Sequence, residues 1–446
     1  MELENAIQSP VLMKGVNQKI EIYNGEYTLE LDDIKIVLFG HISLNWLLEP
    51  IIEYKGKVVS DSKLFKDSSL ITTARKAKVI LRTPNGYKCK VMINKVNFTY
   101  DYSISGVVLK SIEKQLDGKM NRLYFSVVNF VNNFGYGIKH EKTIYSGRMY
   151  FEYNDFKITF DKLPNYEEKY EALNETGGYI ITHAGIIENT KGKSFDYKEV
   201  ESLLETLSWL LSFASGRQVG ICSIHGYNEE NLVLEKYETP IIAKWKNNTN
   251  WFPKISNDNG LETIYPILVE KLNDDLWGKV LKRVFTWYFD SMNSTYIENK
   301  IVAVQIALEM LAWTFIVEEN EIIDKDVFDK LRASDKLRLM LYEFSIPREI
   351  PDIEEFNIFK SSYKDGAHLF TDFRNRIVHS KKVKQKDDEI PSLTKYYILQ
   401  LGRQYLELGI LRILGYQGKY HNLLSKKEWL AETLEYVPWQ STNSEN

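Results

Sequence analysis

The spacing of hydrophobic residues changes along the chain, and this change limits most strongly which folds the chain can adopt. Up to about residue 165, branched and aromatic residues occur in short runs that end near Gly, Asn or Asp, as in Tyr27–Leu31. Such runs are typical of β-strands. From about residue 261, apolar residues recur at the three- and four-residue spacing of packed helices. The sequence therefore predicts an α+β protein, with a β-rich N-terminal domain followed by an all-α helical bundle.

The β-rich domain is expected to span residues 1–165 and to form a sandwich or a curved sheet. Pro84-Asn85-Gly86 lies between two predicted strands and is a strong signal for a hairpin turn. The predicted strands are Tyr27–Leu31, Ile34–Phe39, Lys78–Arg82, Lys88–Ile93 and Gly147–Phe160.

Residues 166–260 have a mixed α/β pattern and end in a polar segment, Trp245–Gly260, which is the best linker candidate. This region either completes the first domain or forms a small domain of its own. Its predicted elements are a strand at Gly178–Ile187, a helix at Tyr197–Ser212, and strands at Gln218–His225 and Asn231–Glu238.

Residues 261–446 are expected to form the helical domain. Proline is favoured in the first turn of a helix, so Pro266 predicts a helix start. Gly415 has the residue type that commonly caps a helix C-terminus. The predicted helices are Pro266–Asp274, Trp277–Ser291, Tyr296–Glu319, Asp324–Phe344, Ala367–His379 and Leu393–Leu414.

Charge and cysteine content exclude several classes of protein. The net charge of −4 argues against a globally basic nucleic-acid binder, although a local basic site remains compatible with it. The two cysteines, Cys89 and Cys222, have no zinc-ligand spacing and are predicted to be free buried thiols in a reducing cytosol. The chain also has no glycine-rich phosphate loop and no dinucleotide fingerprint. No metal and no cofactor are therefore expected.

Two features bear on localisation. The first residues are acidic and polar, unlike a signal peptide. The longest apolar run, Ile301 to Val317, is short and is interrupted by Gln305 and Glu309. It is therefore predicted to be a buried helix of a cytoplasmic protein and not a membrane span.

The candidate chemistry lies in one short motif. Arg374 and Asn375 are followed by His379, and Lys381 and Lys382 come after the intervening Ser380. Histidine can transfer protons near neutral pH, and arginine can hold a phosphate through two parallel hydrogen bonds. These are the groups that RNA cleavage without a metal requires, with the lysines as candidate contacts to the RNA backbone.

The chain from about residue 261 resembles the HEPN superfamily, and specifically its ApeA-like branch. Order and spacing of four segments carry the resemblance, with the arginine–histidine motif placed before the last long helix. The first half matches no signature, although ApeA-like proteins carry a β-rich N-terminal region. The matching segments are Ile306–Leu311, Lys336–Leu341 closing at Ile346-Pro347, Arg374–His379, and Tyr405–Leu408 leading into Leu411–Tyr416 and Gly418.

The resemblance implies a metal-independent endoribonuclease that uses the RNA 2′-hydroxyl as nucleophile and leaves a 2′,3′-cyclic phosphate. His379 would act as general base or acid, Arg374 would stabilise the scissile phosphate, and Asn375 would orient either the histidine or the phosphate. It further implies bacterial antiviral defence by abortive infection. The β-rich region would detect a phage-derived trigger and control cleavage of RNA, with tRNA as one candidate substrate.

Helix geometry adds an expectation about assembly. Residues five apart lie ~140° apart around a helix, so Arg374 and His379 do not share one face. Asn375 and His379, four apart, do share one. Two copies of this helix meeting at a two-fold axis would bring the groups together. This agrees with the HEPN superfamily, whose members place the site at a dimer interface. A homodimer is therefore predicted.

Each motif residue also has a simpler interpretation. His379 follows an apolar pair and is compatible with a structural role, and Arg376 is either a salt-bridge partner or a second phosphate contact. Lys381 to Lys386 precede three acidic residues, as in a solvated loop of mixed charge. The alternative functions are a non-catalytic HEPN sensor that binds nucleotide or RNA, and a prophage-encoded regulatory protein.

Overall fold

A computed structural model describes residues 3–31, 34–59, 79–97, 102–254, 260–378, 390–427 and 429–440. The chain divides into two compact units, which we call the β-rich unit and the helical unit. The β-rich unit consists of Met1–Phe130, Tyr136–Leu204 and Val219–Asn247. The helical unit consists of Val131–Gly135, Glu205–Gln218 and Asn248–Asn446.

The first six strands of the β-rich unit form a closed antiparallel barrel. The strand order is β4-β1-β2-β3-β6-β5, and β5 also pairs with β4, which closes the ring. At Gly40 and Gly106, a Cβ atom would lie 2.0 Å from a carbonyl oxygen of the neighbouring strand, so only glycine permits this close approach. The strands are β1 (Ile20–Leu31), β2 (Ile34–Asn45), β3 (Ile51–Val58), β4 (Val79–Arg82), β5 (Lys88–Asn97) and β6 (Ser103–Val108).

The next eight strands form an antiparallel sheet in the order β7-β14-β13-β8-β12-β11-β10-β9. One residue pair, Lys88 with Glu113, joins β5 to β7. The elements are β7 (Ser111–Gln115), β8 (Arg122–Val128), β9 (Tyr136–His140), β10 (Thr143–Tyr153), β11 (Phe156–Lys162), α1 (Tyr166–Thr176), β12 (Ile181–Asn189), α2 (Tyr197–Ser215), β13 (Gly220–Asn228) and β14 (Asn231–Glu238).

The turns of the β-rich unit follow local chemistry. The predicted hairpin at residues 84–86 is confirmed: β4 and β5 pair, and the Gly86 N–H donates to the Thr83 carbonyl at 3.1 Å. The β-structure predicted at Gly147–Phe160 is confirmed, and it consists of two strands, β10 and β11, that form a hairpin. Asn154 has φ 51° in its turn, a conformation that asparagine tolerates better than most residues.

Besides the second half of α2, from Glu205 onward, the helical unit contains seven α-helices among the described residues, and α9 lies against α4, α5 and α8. Fourteen α9 residues are buried, so this helix forms the centre of the unit's core. The elements are α3 (Gly260–Asn273), α4 (Trp277–Asn293), α5 (Ile297–Trp313) with a π-helical continuation (Thr314–Glu319), α6 (Lys325–Lys330), α7 (Ala333–Glu343), α8 (Gly366–Val378), α9 (Ser392–Ile413), β15 (Lys419–His421) and β16 (Leu434–Tyr436).

Helix boundaries agree with the sequence where a local signal sets them. Gly415 has φ 64°, and the N–H groups of Gly415 and Tyr416 donate to the carbonyls of Arg412 and Leu411, so the predicted C-cap is confirmed. Pro266, in contrast, lies inside α3 and does not open it. It lacks an N–H, so α3 forgoes one internal hydrogen bond there.

The helix predicted at Asp324–Phe344 is instead two helices, α6 and α7. Leu331 and Arg332 between them have extended backbone conformations. The break reflects a change in hydrophobic spacing, because the buried residues Phe328 and Leu337 are nine positions apart and fit no continuous stripe.

The polar segment predicted as a linker, Trp245–Gly260, has no regular secondary structure up to residue 254, and residues 255–259 lie outside the described part. The division between the two units falls within it, after Asn247. Of residues 166–260, those up to Leu204 and from Val219 to Asn247 belong to the β-rich unit, and the others belong to the helical unit.

The predicted burial of both cysteines is confirmed, and burial raises the pKa of each thiol to about 12. Within the described residues, one helix, Ile297–Glu319, is long and apolar enough to cross a membrane, and 56% of its most apolar window is buried inside the protein. The core helix of a water-soluble protein has the same properties.

Candidate functional site

The last turns of α8 carry the first part of the arginine–histidine motif. Leu369, Phe370 and Phe373 are buried, and they anchor one face of α8 in the helical unit. Asp365 caps the start of the helix, because its Oδ1 accepts a hydrogen bond from the His368 N–H at 2.8 Å. The predicted site residues His379, Lys381 and Lys382 lie outside the described residues.

Arg374 is partly buried and has unused hydrogen-bonding capacity. Its Nη1 donates to Oδ1 of the exposed Asn375 at 3.2 Å. Its Nε is buried and has no hydrogen-bond partner. No described carboxylate forms an ion pair with this guanidinium. Arg374 can therefore offer N–H groups to a ligand such as a phosphate.

Arg376 has a different environment. Its Nε donates to Oδ2 of Asp372 at 3.0 Å, and its Nη2 donates to the Tyr363 hydroxyl at 2.8 Å. That hydroxyl in turn donates to the same oxygen of Asp372 at 2.9 Å. This closed triangle matches the salt-bridge interpretation of Arg376, and it leaves the guanidinium less available for a phosphate.

Arg338 belongs to α7, and its guanidinium forms ion pairs with carboxylates beside the start of α8. Its Nε and Nη2 donate to both oxygens of Asp365, at 2.6 and 3.1 Å. The hydrogen bonds to Asp365 raise the pKa of Arg338. Arg374 thus differs from Arg338 and Arg376, each of which has a carboxylate partner. A partly buried cation without a carboxylate partner costs desolvation energy.

Sequence reasoning missed a buried polar cluster in the helical unit. The Tyr288 hydroxyl, on α4, donates to Oε1 of Glu407 on α9 at 2.6 Å, and Asn250 Nδ2 donates to the same hydroxyl at 3.3 Å. Arg403, one turn before Glu407, donates from Nη2 to the Ser291 carbonyl. Because Glu407 is only 4% exposed, this cluster belongs to the core and cannot reach a large substrate.

Burial dominates the electrostatics of this cluster. It raises the pKa of Glu407 to about 7, against the Tyr288 hydrogen bond and the Arg403 charge, which both lower it. Burial also lowers the pKa of Arg403. A sequence signal did exist, since polar residues recur on one face of an otherwise apolar helix at spacings of three and four. They are Gln400, Arg403, Gln404 and Glu407.

No group of three or more His, Cys, Asp and Glu side chains in the described part of the chain is placed to hold a metal ion. The site that the helical unit presents at the end of α8 is a pair of side chains, the guanidinium of Arg374 and the amide of Asn375. Chemically, such a pair can bind and orient an anion through N–H donors.

Fold and site together define a two-unit α+β protein, in which a β-rich unit with a barrel precedes a helical unit with a polar helix end. The model of the YopA central domain matches residues 115–248, and that of the YopA C-terminal domain matches residues 274–435. The second match contains the whole arginine–histidine motif.

A full-length relative agrees with both matches. The SPbeta prophage-derived uncharacterized protein YopA of Bacillus subtilis (strain 168) is 38% identical over 448 residues, which cover 99% of this chain and 100% of that protein. The chain belongs to the YopA family. No solved structure matches it.

Proposed function

We propose that the protein is a metal-independent endoribonuclease whose site lies at and just beyond the C-terminal end of α8. The observation that carries the proposal is the environment of Arg374. Its buried Nε has no hydrogen-bond partner, and no described carboxylate neutralises it, whereas Arg338 and Arg376 are both paired. A bound phosphate would supply the missing acceptor.

The proposed reaction needs only the groups of the motif. His379 accepts the proton of the RNA 2′-hydroxyl, whose oxygen forms a bond to the adjacent phosphorus. The bond from phosphorus to the 5′-oxygen breaks, and that oxygen takes up a proton, which leaves a 2′,3′-cyclic phosphate. Arg374 neutralises the charge that develops on the phosphate, and Asn375 orients the phosphate. Lys381 and Lys382 hold the neighbouring RNA backbone.

A HEPN-like bundle is proposed for the helical unit. Its support is the order of the elements, because Arg374 and Asn375, the first part of the motif, lie on α8, which directly precedes the long helix α9, as the resemblance requires. From the same resemblance we propose a biological role in antiviral defence. The protein would cleave RNA in the cytoplasm, with tRNA as one candidate substrate. The β-rich unit would then sense a phage-derived trigger and hold the nuclease inactive until infection.

The relative encoded by a prophage favours a second candidate function. A prophage protein can serve the phage itself, and in that case Arg374 and His379 would bind RNA or a nucleotide without cleaving it. The chain would then be a regulatory protein of the prophage. Both candidates place a phosphate on Arg374, so binding alone does not separate them.

The test is cleavage of RNA by the purified full-length protein in excess EDTA, beside His379→Ala as the control for contaminating nucleases. We expect wild type to cleave RNA and to leave cyclic-phosphate ends. An otherwise identical strand with 2′-deoxyribose at the cleaved position should resist, because it lacks the nucleophile. RNA binding without cleavage, also in infected-cell extract that supplies a trigger, would favour the regulatory candidate.

The full chain is required in this test. The helical unit includes Glu205–Gln218 and Asn248 onward, and the rings of Phe213 and Tyr288 lie 5.4 Å apart within it. Asn250 also donates to the carbonyls of Phe213 and Ala214. A fragment that begins near Leu261 would lack these groups, so loss of its activity would report unfolding and not regulation.

We further propose that two copies of the chain share the active site through the helical unit. Mixing Arg374→Ala with His379→Ala tests this directly. If Arg374 of one copy works with His379 of the other, mixed dimers contain one intact pair, and activity should return to about a quarter of the wild-type value by random pairing. If both groups must come from one copy, the mixture should stay inactive.

A further inference from the structure

The outer surface of the β-barrel carries a local charge opposite in sign to that of the whole chain, whose net charge is −4. The four neighbouring barrel strands β2, β3, β6 and β5 contain six lysines and one carboxylate, Glu53. All six lysine side chains are exposed. We call the outer surface of these four strands the basic face. Its lysines are Lys35, Lys55, Lys57, Lys88, Lys90 and Lys95.

Strand register places four side chains in one row across the basic face. His41 on β2 lies opposite Lys55 on β3. Ser105 on β6 lies opposite Lys55 on one side and opposite Lys95 of β5 on the other. Neighbouring strands are about 4.8 Å apart, so the two lysines flank β6 at a separation of roughly 10 Å. Neither lysine has a carboxylate partner within the described part of the chain.

Phe39 lies in the adjacent row of the basic face. Its ring is 58% exposed, although phenylalanine is among the residues most often buried. Phe39 lies opposite Lys57 on β3, and Lys57 lies opposite Ser103 on β6. Serine is short and lysine is long, so β6 forms the floor of a shallow channel between β3 and β5. The rings of Phe39 and His41 lie along one side of this channel.

The channel has the two kinds of group that a single strand of nucleic acid requires. Proteins that bind such strands combine a positively charged groove that follows the phosphates with aromatic side chains on which bases stack. A duplex would also satisfy the lysines, but its bases are already stacked on one another and would leave the ring of Phe39 exposed. The exposed ring beside the cations therefore favours a single strand over a duplex.

We propose that the basic face binds a single strand of nucleic acid. Phosphates lie beside Lys55 and Lys95, and a base stacks on Phe39. His41 offers a second ring for stacking. The face has six cations and one carboxylate, so its charge is complementary to that of the phosphates. The proposal uses no residue of the arginine–histidine motif, so it stands independently of RNA cleavage.

The probe is a fluorescein-labelled oligodeoxythymidylate of about 12 nucleotides, bound to the full-length protein and followed by fluorescence anisotropy. DNA lacks the 2′-hydroxyl, so the result does not depend on the proposed nuclease activity. We expect a dissociation constant of about 10 μM or lower at about 50 mM salt, and at least about tenfold weaker binding of a duplex of the same length. No binding at about 100 μM, or equal binding of strand and duplex, would overturn the proposal.

Two variants separate the charge from the ring. Lys55→Gln combined with Lys95→Gln removes two cations and should lower the affinity. The plot of log affinity against log salt should also become shallower by about 1.4, because each phosphate contact on a single strand contributes about 0.7. Phe39→Ala removes no charge, so the salt dependence should be unchanged while binding weakens by about five- to a hundredfold.

Lys139→Gln combined with Lys142→Gln is the matched control. Both lysines are exposed and belong to the β-rich unit, but they lie on β9 and in the turn after it, outside the barrel strands. Affinity and salt dependence should equal those of the wild type. The proposal is wrong if this control loses as much affinity as the barrel pair, or if the barrel pair binds as wild type does. Wild-type binding by Phe39→Ala would show a general surface for polyanions, such as duplexes or acidic membranes, and would also refute it.

Discussion

Replacing Arg374 by alanine is expected to lower the rate of RNA cleavage by about a hundred- to a thousandfold, if the proposed nuclease activity is correct. No described carboxylate neutralises its guanidinium, and its buried Nε has no hydrogen-bond partner among the described residues. The substitution would therefore remove stabilisation of the transition state, in which the phosphate gains charge. The measurement is the single-turnover cleavage rate with saturating protein.

Arg376→Ala is the matched control for this prediction. It removes the same charge two positions away on the same helix, but its guanidinium is already engaged by Asp372 and Tyr363. We expect less than about a tenfold loss of rate and a small loss of stability, as for other exposed ion pairs. A folded Arg374→Ala protein with wild-type activity would refute the role of Arg374, and equal losses in both variants would point to a general charge effect.

The second large effect concerns stability and pH. The pKa of Glu407 is about 7 in the folded protein, above its ordinary value of 4.5, because the carboxyl is buried. Between these two pH values the folded state holds a proton that the unfolded state has lost. The contribution of Glu407 to the free energy of unfolding must therefore fall as pH rises from about 4.5 to about 7, by on the order of 3 kcal/mol.

Glu407→Gln tests this expectation. Glutamine keeps an acceptor for the Tyr288 hydroxyl but does not titrate, so the variant should lack this part of the pH dependence and be the more stable protein above pH 7. The measurement is denaturant unfolding of both proteins across the pH range. The quantity to compare is the difference between the two proteins in the free energy of unfolding. Buried histidines such as His421, whose pKa is lowered to about 4, add an opposite pH dependence. That dependence is common to both proteins and cancels in the difference.

Glu407→Leu provides the contrast. It removes the acceptor of the Tyr288 hydroxyl. Leaving this buried hydroxyl without its acceptor costs about 1–3 kcal/mol. Identical pH dependence in the wild type and Glu407→Gln would show that Glu407 does not titrate in this range. A Glu407→Leu protein as stable as wild type would show that the polar cluster contributes no net stability.

Local signals in the sequence were sufficient for many of the elements. The turn at Pro84-Asn85-Gly86 and the cap at Gly415 were predicted because each depends on the backbone preferences of one or two residues. Helical spacing identified α4, α5 and α9. The positional preference of proline failed at Pro266, and hydrophobic spacing failed between α6 and α7, because packing against other helices outweighs the preference of a single residue.

Long-range contacts explain what the sequence did not predict. Closure of the barrel depends on the pairing of β1 with β4 and of β3 with β6, which are distant in sequence. The division of residues 166–260 between the two units also depends on contacts between residues that are distant in sequence. Such pairings depend on the register of whole strands, and no short segment encodes them.

By itself, the sequence determined the α+β order of the chain and the position of the candidate motif, because hydrophobic period and residue spacing are local properties. Only the tertiary structure decided that Arg376 is paired with Asp372 and Tyr363 while no described carboxylate pairs with Arg374, and that Glu407 receives its hydrogen bond from Tyr288, 119 positions away. Burial and hydrogen-bond partners set the charge and reactivity of a side chain, and both come from residues that are neighbours only after folding.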